Sequence, residues 1–90
     1  MSGAARTVEV TNKRGLHARA SAKFVTLAAQ TKATVEVEKD GNSVCGTSIM
    51  GLMMLGAAMG DTITIRALGD DAEDAVQQLA ALVEARFGEE

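Results

Sequence analysis

The 90-residue sequence contains no proline, tryptophan or tyrosine, and its only aromatic side chains are Phe24 and Phe87. Base-stacking platforms of the kind that hold single-stranded nucleic acid are therefore nearly absent. The core has to be built from Val, Leu, Ile, Met and Ala. A lone cysteine, Cys45, allows no internal disulfide, and with a single histidine, His17, it makes no closed zinc site without carboxylate help. Nine basic residues against twelve acidic ones leave a formal charge of -3, which disfavours a nucleic-acid partner. Long apolar runs are missing too. The longest, from Ile49 to Met59, is broken by Gly51 and Gly56 and is too short to span a bilayer. No apolar stretch follows Met1-Ser2-Gly3-Ala4-Ala5-Arg6, as a signal peptide would require. The expectation is a cytoplasmic chain with no membrane insertion, no metal and no bound cofactor.

What is present is a hydrophobic fraction of 47%, enough to fold. Surface scaling gives about 63% of the unfolded chain's surface buried, which suits one small core. Residues 1–90 read as a single domain with an ordered core over about 6–87. The first five residues and the end beyond Phe87 read as loose, and Gly88-Glu89-Glu90 as a frayed acidic end.

Val8 and Val10 alternate with polar neighbours in the period of a half-buried strand, and Asn12-Lys13-Arg14-Gly15 reads as a loop. Phe24, Val25, Ala28 and Ala29 recur at helical spacing within about Ala18 to Gln30. Thr34 to Lys39 alternates again, Asp40-Gly41 signals a hairpin, and Ser43-Val44-Cys45 returns, placing Cys45 as a small buried or half-buried residue. Thr47 or Ser48 can cap a short helix from Ile49 to about Leu55. A last strand covers Thr62 to Ala67. Asp70 with Glu73 fits a capping box ahead of a helix whose stripe is Ala72, Val76, Leu79, Ala80, Val83 and Phe87. The fold class is α/β (α+β): an open-faced two-layer sandwich, a four-stranded antiparallel sheet with three helices on one face, in the order β-α-β-β-α-β-α.

Chemistry concentrates at Gly15-Leu16-His17-Ala18-Arg19-Ala20-Ser21, where a loop turns into a helix. The first helical turn leaves backbone N–H groups unsatisfied and carries the positive end of the dipole, so it favours a phosphate. A neutral imidazole keeps a nucleophilic lone pair, and Arg19 adds a fork-shaped cation suited to phosphoryl oxygens. On these residues alone, a capping or solvent-exposed His17 without chemistry is the competing reading. A serine hydrolase lacks an orienting acid here: the nearest carboxylate in sequence is Glu9, and nothing brings it to the site. No G-x-x-x-x-G-K-[ST] loop supports an ATP-dependent kinase.

The second feature is Thr47-Ser48-Ile49-Met50-Gly51-Leu52-Met53-Met54, more apolar than one face of so short a helix needs. Ile49, Met50 and Met53 are candidate partner-docking residues, since methionine adapts to varied surfaces; a fully core role is the alternative. A phosphate on Ser48 would add charge beside that face.

Asn12-Lys13-Arg14-Gly15-Leu16-His17-Ala18-Arg19 with Ala22-Lys23-Phe24-Val25 resembles the active-site segment of the histidine-containing phosphocarrier family, HPr. Ser48-Ile49-Met50-Gly51-Leu52-Met53 with Leu55-Gly56 resembles that family's regulatory-serine segment. The resemblance covers about residues 6–87. It implies a phosphoryl carrier, not an enzyme in its own right, in which His17 accepts a phosphoryl group on Nδ1 from enzyme I, charged by phosphoenolpyruvate. His17 then passes the group to a histidine of an enzyme IIA domain. Arg19 would neutralise the transferring group, the backbone of Ala18, Ala20 and Ser21 would hold its oxygens, and Ile49, Met50 and Met53 would dock both neighbours. Ser48 would be modified by HPr kinase/phosphorylase. A monomer suffices for such traffic.

One departure is Ala20, where the family commonly carries proline after the active-site arginine. Alanine restores an N–H and is a good helix former, so transfer is expected to survive. Alanine here is similar to carriers of a nitrogen- or carbon-regulatory branch. The rival readings are a purely regulatory protein acting through the Met-rich face, and a ligand- or RNA-binding sandwich.

Overall fold

A computed structural model describes residues 3–89. The elements run β1 (Gly3–Glu9), α1 (Ala18–Gln30), β2 (Thr34–Lys39), β3 (Asn42–Cys45), α2 (Ile49–Met54), β4 (Thr62–Leu68) and α3 (Ala72–Glu84), then a 3-10 turn at Arg86–Gly88. The strands form one sheet in the order β1-β4-β2-β3, every pair antiparallel.

Register follows from alternation. Val8 pairs with Ile63 across β1 and β4, and Val37 with Ile65 across β2 and β4, so the apolar side chains share one face. All four are buried. On the other face Thr7 and Thr64 hydrogen-bond through their hydroxyls at 2.9 Å, and Arg66 pairs with Glu38. The helices cover the apolar face. Phe24 and Ala28 of α1, Leu52 of α2, and Val76, Leu79 and Val83 of α3 join the strands in one core.

This is the expected four-stranded, three-helix sandwich, with differences at its joints. β1 begins at Gly3, paired with Leu68, because β4 supplies a full antiparallel partner; the loose start therefore does not include Gly3–Ala5. Met1, Ser2 and Glu90 lie outside the described residues. The capping box before α3 is not formed. Asp71 occupies the cap position with φ 61° and makes no side-chain cap bond, while Ala72 N–H donates to the Gly69 carbonyl. Cys45 is exposed, because the register pairs it with Glu36 on the open face of the sheet while Val44, opposite Val37, packs against the core. Phe87 sits beyond α3, in the 3-10 turn, and is still buried.

Candidate functional site

His17 is the cap residue of α1, with extended backbone (φ -73°, ψ 178°). Its carbonyl accepts the Ser21 N–H at 2.9 Å, the first bond of the helix. The amides of Ala18, Arg19 and Ala20 precede that bond and have no intrahelical acceptor, as the first turn of any helix dictates. Ser21 is thus separated from the phosphate-binding set proposed on sequence. Its N–H is spent on His17 and its hydroxyl donates to the Leu16 carbonyl at 3.2 Å, which leaves it buried.

The loop ahead of the helix is held from two sides. Leu16 N–H donates to the Ala57 carbonyl at 3.0 Å, tying it to the segment after α2. Asn12, completely buried, donates through Nδ2 to the Gly15 carbonyl at 2.8 Å. The same Nδ2 donates to Glu89 Oε1 at 3.0 Å.

The imidazole does not cap its own helix. Nε2 lies 2.5 Å from Glu89 Oε2, with both side chains mostly sheltered, 14% and 19% exposed. Burial opposes a charge on Glu89, but hydrogen bonds from Asn12 and His17, and the charges of His17 and Lys23, outweigh it and hold the carboxyl below its ordinary value. Against an ionised carboxylate, which only accepts, Nε2 carries the hydrogen. A neutral ring then keeps its lone pair on Nδ1, which has no hydrogen-bond partner among the described residues. Sequence reasoning placed Glu89 in a frayed end and found no carboxylate for the site, setting Glu9 aside. The missed signal was Phe87, an apolar anchor two residues before an acid.

Arg19 is exposed in the first turn of α1 and forms no ion pair among the described residues. It lines a shallow groove with Lys23, Leu27 and Leu82, between α1 and α3. Lys23 itself turns to the C-terminal segment and donates to the Phe87 carbonyl at 2.7 Å.

Ser48 caps α2, its Oγ accepting the Gly51 N–H at 3.0 Å. Only Leu52 of this helix is buried, and Ile49, Met50 and Met53 are exposed, Met50 at 72%. Met54, at 79%, and Met59 are exposed as well, beyond the expected trio. The Leu16–Ala57 bond ties the segment after this helix to the His17 loop.

Among the described residues no cluster of three metal-ligating side chains occurs. No helix is long and apolar enough to cross a membrane. At the head of α1 stand an imidazole held through Nε2, the first-turn amides of Ala18, Arg19 and Ala20, and the exposed side chain of Arg19.

Comparison with known proteins identifies the family. Residues 4–85 match the family described as PTS HPr component phosphorylation site. The chain is 45% identical over 84 residues to phosphocarrier protein HPr of Cupriavidus necator, covering 93% of this chain and 94% of that one. It is 40% identical over 84 residues to phosphocarrier protein NPr of Shewanella violacea, covering 93% and 92%. The fold superposes on the crystal structure of HPr from Thermoanaerobacter tengcongensis with a TM-score of 0.90, at 44% identity, covering 100% of this chain and 99% of that one. With its four-stranded antiparallel sheet and three helices, the chain belongs to the HPr family of phosphocarrier proteins of the phosphotransferase system.

Proposed function

We propose that His17 is the phosphoryl-accepting residue, taking the group on Nδ1 from phosphorylated enzyme I and delivering it to a histidine of an enzyme IIA domain. The observation that carries this reading is the ring's orientation at the head of α1. Nε2 is engaged by Glu89, and Nδ1 has no partner among the described residues, on the residue that caps α1. A phosphoryl group there would meet the N–H groups of Ala18, Arg19 and Ala20 and the positive end of the helix dipole. Arg19 is free to swing onto its oxygens. Transfer between two imidazoles asks mainly for alignment and charge compensation, and this site has the parts for both.

Docking falls to Ile49, Met50 and Met53, with Met54 and Met59 widening the patch. A small adaptable apolar surface suits brief encounters with two partners better than a permanent interface. The protein acts as a monomeric carrier. Ser48 is the regulatory site for HPr kinase/phosphorylase: a phosphate on its hydroxyl would sit at the cap of α2, against the docking surface, where desolvating it opposes enzyme I.

The test is intact mass after incubation with enzyme I and phosphoenolpyruvate. One acid-labile phosphoryl adduct is expected on the wild type and none on His17→Ala. Absence of the adduct, with enzyme I shown competent on another carrier, would establish the second reading, a purely regulatory protein acting through the Met-rich face. The likeness to an NPr supports a nitrogen-regulatory output, which the acceptor IIA domain would reveal.

A further inference from the structure

The carboxylate against His17 comes from outside the matched family segment, which ends at residue 85. It is nonetheless built in. Phe87 is buried in the core, Lys23 Nζ donates to the Phe87 carbonyl at 2.7 Å, and Glu89 N–H donates to the Arg86 carbonyl at 2.9 Å. Glu89 is then gripped from its far side by Asn12, whose Nδ2 is shared between Oε1 of Glu89 and the Gly15 carbonyl of the loop that presents His17. One buried amide thus ties the carboxylate and the histidine loop together.

We propose that Glu89, braced by Asn12, is a positioning residue for His17: it holds the ring through Nε2, directs Nδ1 to the phosphoryl group, and balances the charge that the ring acquires on transfer. The proposal rests on His17 being the phosphoryl acceptor. As the Nδ1 lone pair bonds to phosphorus, the donor's N–P bond breaks and its electron pair returns to the donor nitrogen. Nε2 keeps its hydrogen throughout, so the phosphorylated ring is a cation whose N–H faces the Glu89 carboxylate. That carboxylate stabilises the phosphorylated ring, and the retained hydrogen keeps the ring a good leaving group for onward transfer.

The other charged groups on the surrounding elements are Arg19 and Lys23 of α1, Lys13 and Arg14 of the preceding loop, Arg86 of the 3-10 turn, and Glu73, Asp74 and Glu84 of α3, the last paired with Arg6. Residues 49–60, which pack against the loop, carry none. Of those cations Lys23 bears on Glu89 and favours its ionised form. Glu89 is therefore the sole acid brought to the ring among the described residues.

The experiment uses the full chain, uniformly labelled with nitrogen-15, as wild type, Glu89→Gln and Glu89→Ala. Long-range proton–nitrogen spectra of the unphosphorylated ring report the tautomer across pH. Rates of phosphorylation are then read with potassium phosphoramidate, a small phosphoryl donor that needs no enzyme. The wild type should show a single Nε2–H tautomer. Glu89→Gln, whose amide oxygen can still accept, should keep that tautomer but lose about tenfold in phosphorylation rate, the scale on which a histidine's outer partner acts. Glu89→Ala should lose the single tautomer as well as the rate. Unchanged tautomer and rate in Glu89→Ala, with the spectrum of the fold preserved, would overturn the proposal. A wild type that takes no phosphoryl group would instead overturn the carrier reading, and the tautomer comparison would still decide whether Glu89 positions the ring.

Discussion

Gly15 and Ala57 are in such close approach that a Cβ built on Gly15 would lie 2.2 Å from the Ala57 carbonyl oxygen. That oxygen accepts the Leu16 N–H at 3.0 Å, so the loop cannot simply back away without breaking the bond that places His17. Gly15 also has φ +62°, a conformation that a side chain strains by about 1–3 kcal/mol. Gly15→Ala should therefore cost more stability than Gly41→Ala, where φ is +83° but nothing lies within 4 Å. Urea denaturation of both variants checks this, and equal losses would show that the contact with Ala57 matters little.

The Ser48 cap leads to a separable effect. Ser48→Ala removes the acceptor for the Gly51 N–H and should cost about 1 kcal/mol. Ser48→Asp keeps a good capping oxygen and should be close to the wild type in stability while adding charge beside Met50 and Met53. Thermal melts of the two variants separate capping from charge. A regulatory serine then predicts weaker enzyme I binding in Ser48→Asp alone.

Phe87 is the anchor of the C-terminal segment. It is fully buried although its own backbone has φ 55°, so packing holds a conformation that a bulky residue avoids. Phe87→Ala should lose about 3–5 kcal/mol through the cavity it leaves. In whatever fraction remains folded, the Glu89 side chain should no longer contact the His17 ring. Denaturation reads the first effect and nuclear Overhauser contacts from Glu89 the second. Loss of stability with the contact intact would mean that Asn12 alone holds Glu89 in place.

The pH dependence of the same contact has a definite sign. The Glu89 carboxyl lies below its ordinary value in the folded chain, so its ionised form is favoured by folding. Its stabilisation is present in full above the unfolded carboxyl value of about 4.3 and is lost as pH falls through the folded value. The stability difference between wild type and Glu89→Gln should close as pH falls through the acid range below that. Urea midpoints measured from pH 7 down to 2.5 test it; a difference that survives at the lowest pH would not come from this carboxylate's charge.

Much of the fold lies in short-range pattern. Alternation in Thr34–Lys39 and Thr62–Ala67 and the Asp40-Gly41 turn each place their element to within a residue or two, and the stripe of α3 places its start, though it runs on to Phe87 beyond the helix end at Glu84. They do so because one buried face imposes its period on the chain. The cap of α3 was misread. The pairing of Asp70 with Glu73 looks favourable in isolation, whereas Gly69 (φ +100°) and Asp71 in the left-handed region shape a tighter turn that makes its closing bond with backbone. Cys45 was misplaced because the register across the hairpin decides its face: it pairs with exposed Glu36, whereas Val44 pairs with buried Val37.

The places of His17, Arg19 and Ser48 at helix starts were visible, because neighbouring residues alone set the backbone and the free N–H groups there. The partner of His17 was not. Glu89 lies 72 positions away and comes to the ring because Phe87 is drawn into the core and Asn12 needs a partner for its buried amide. Hydrophobic burial acts on the whole chain at once, so it can join two ends that no spacing relates. Helix starts and strand faces obey rules of a few residues' reach; which acid meets the histidine is a property of the packed molecule.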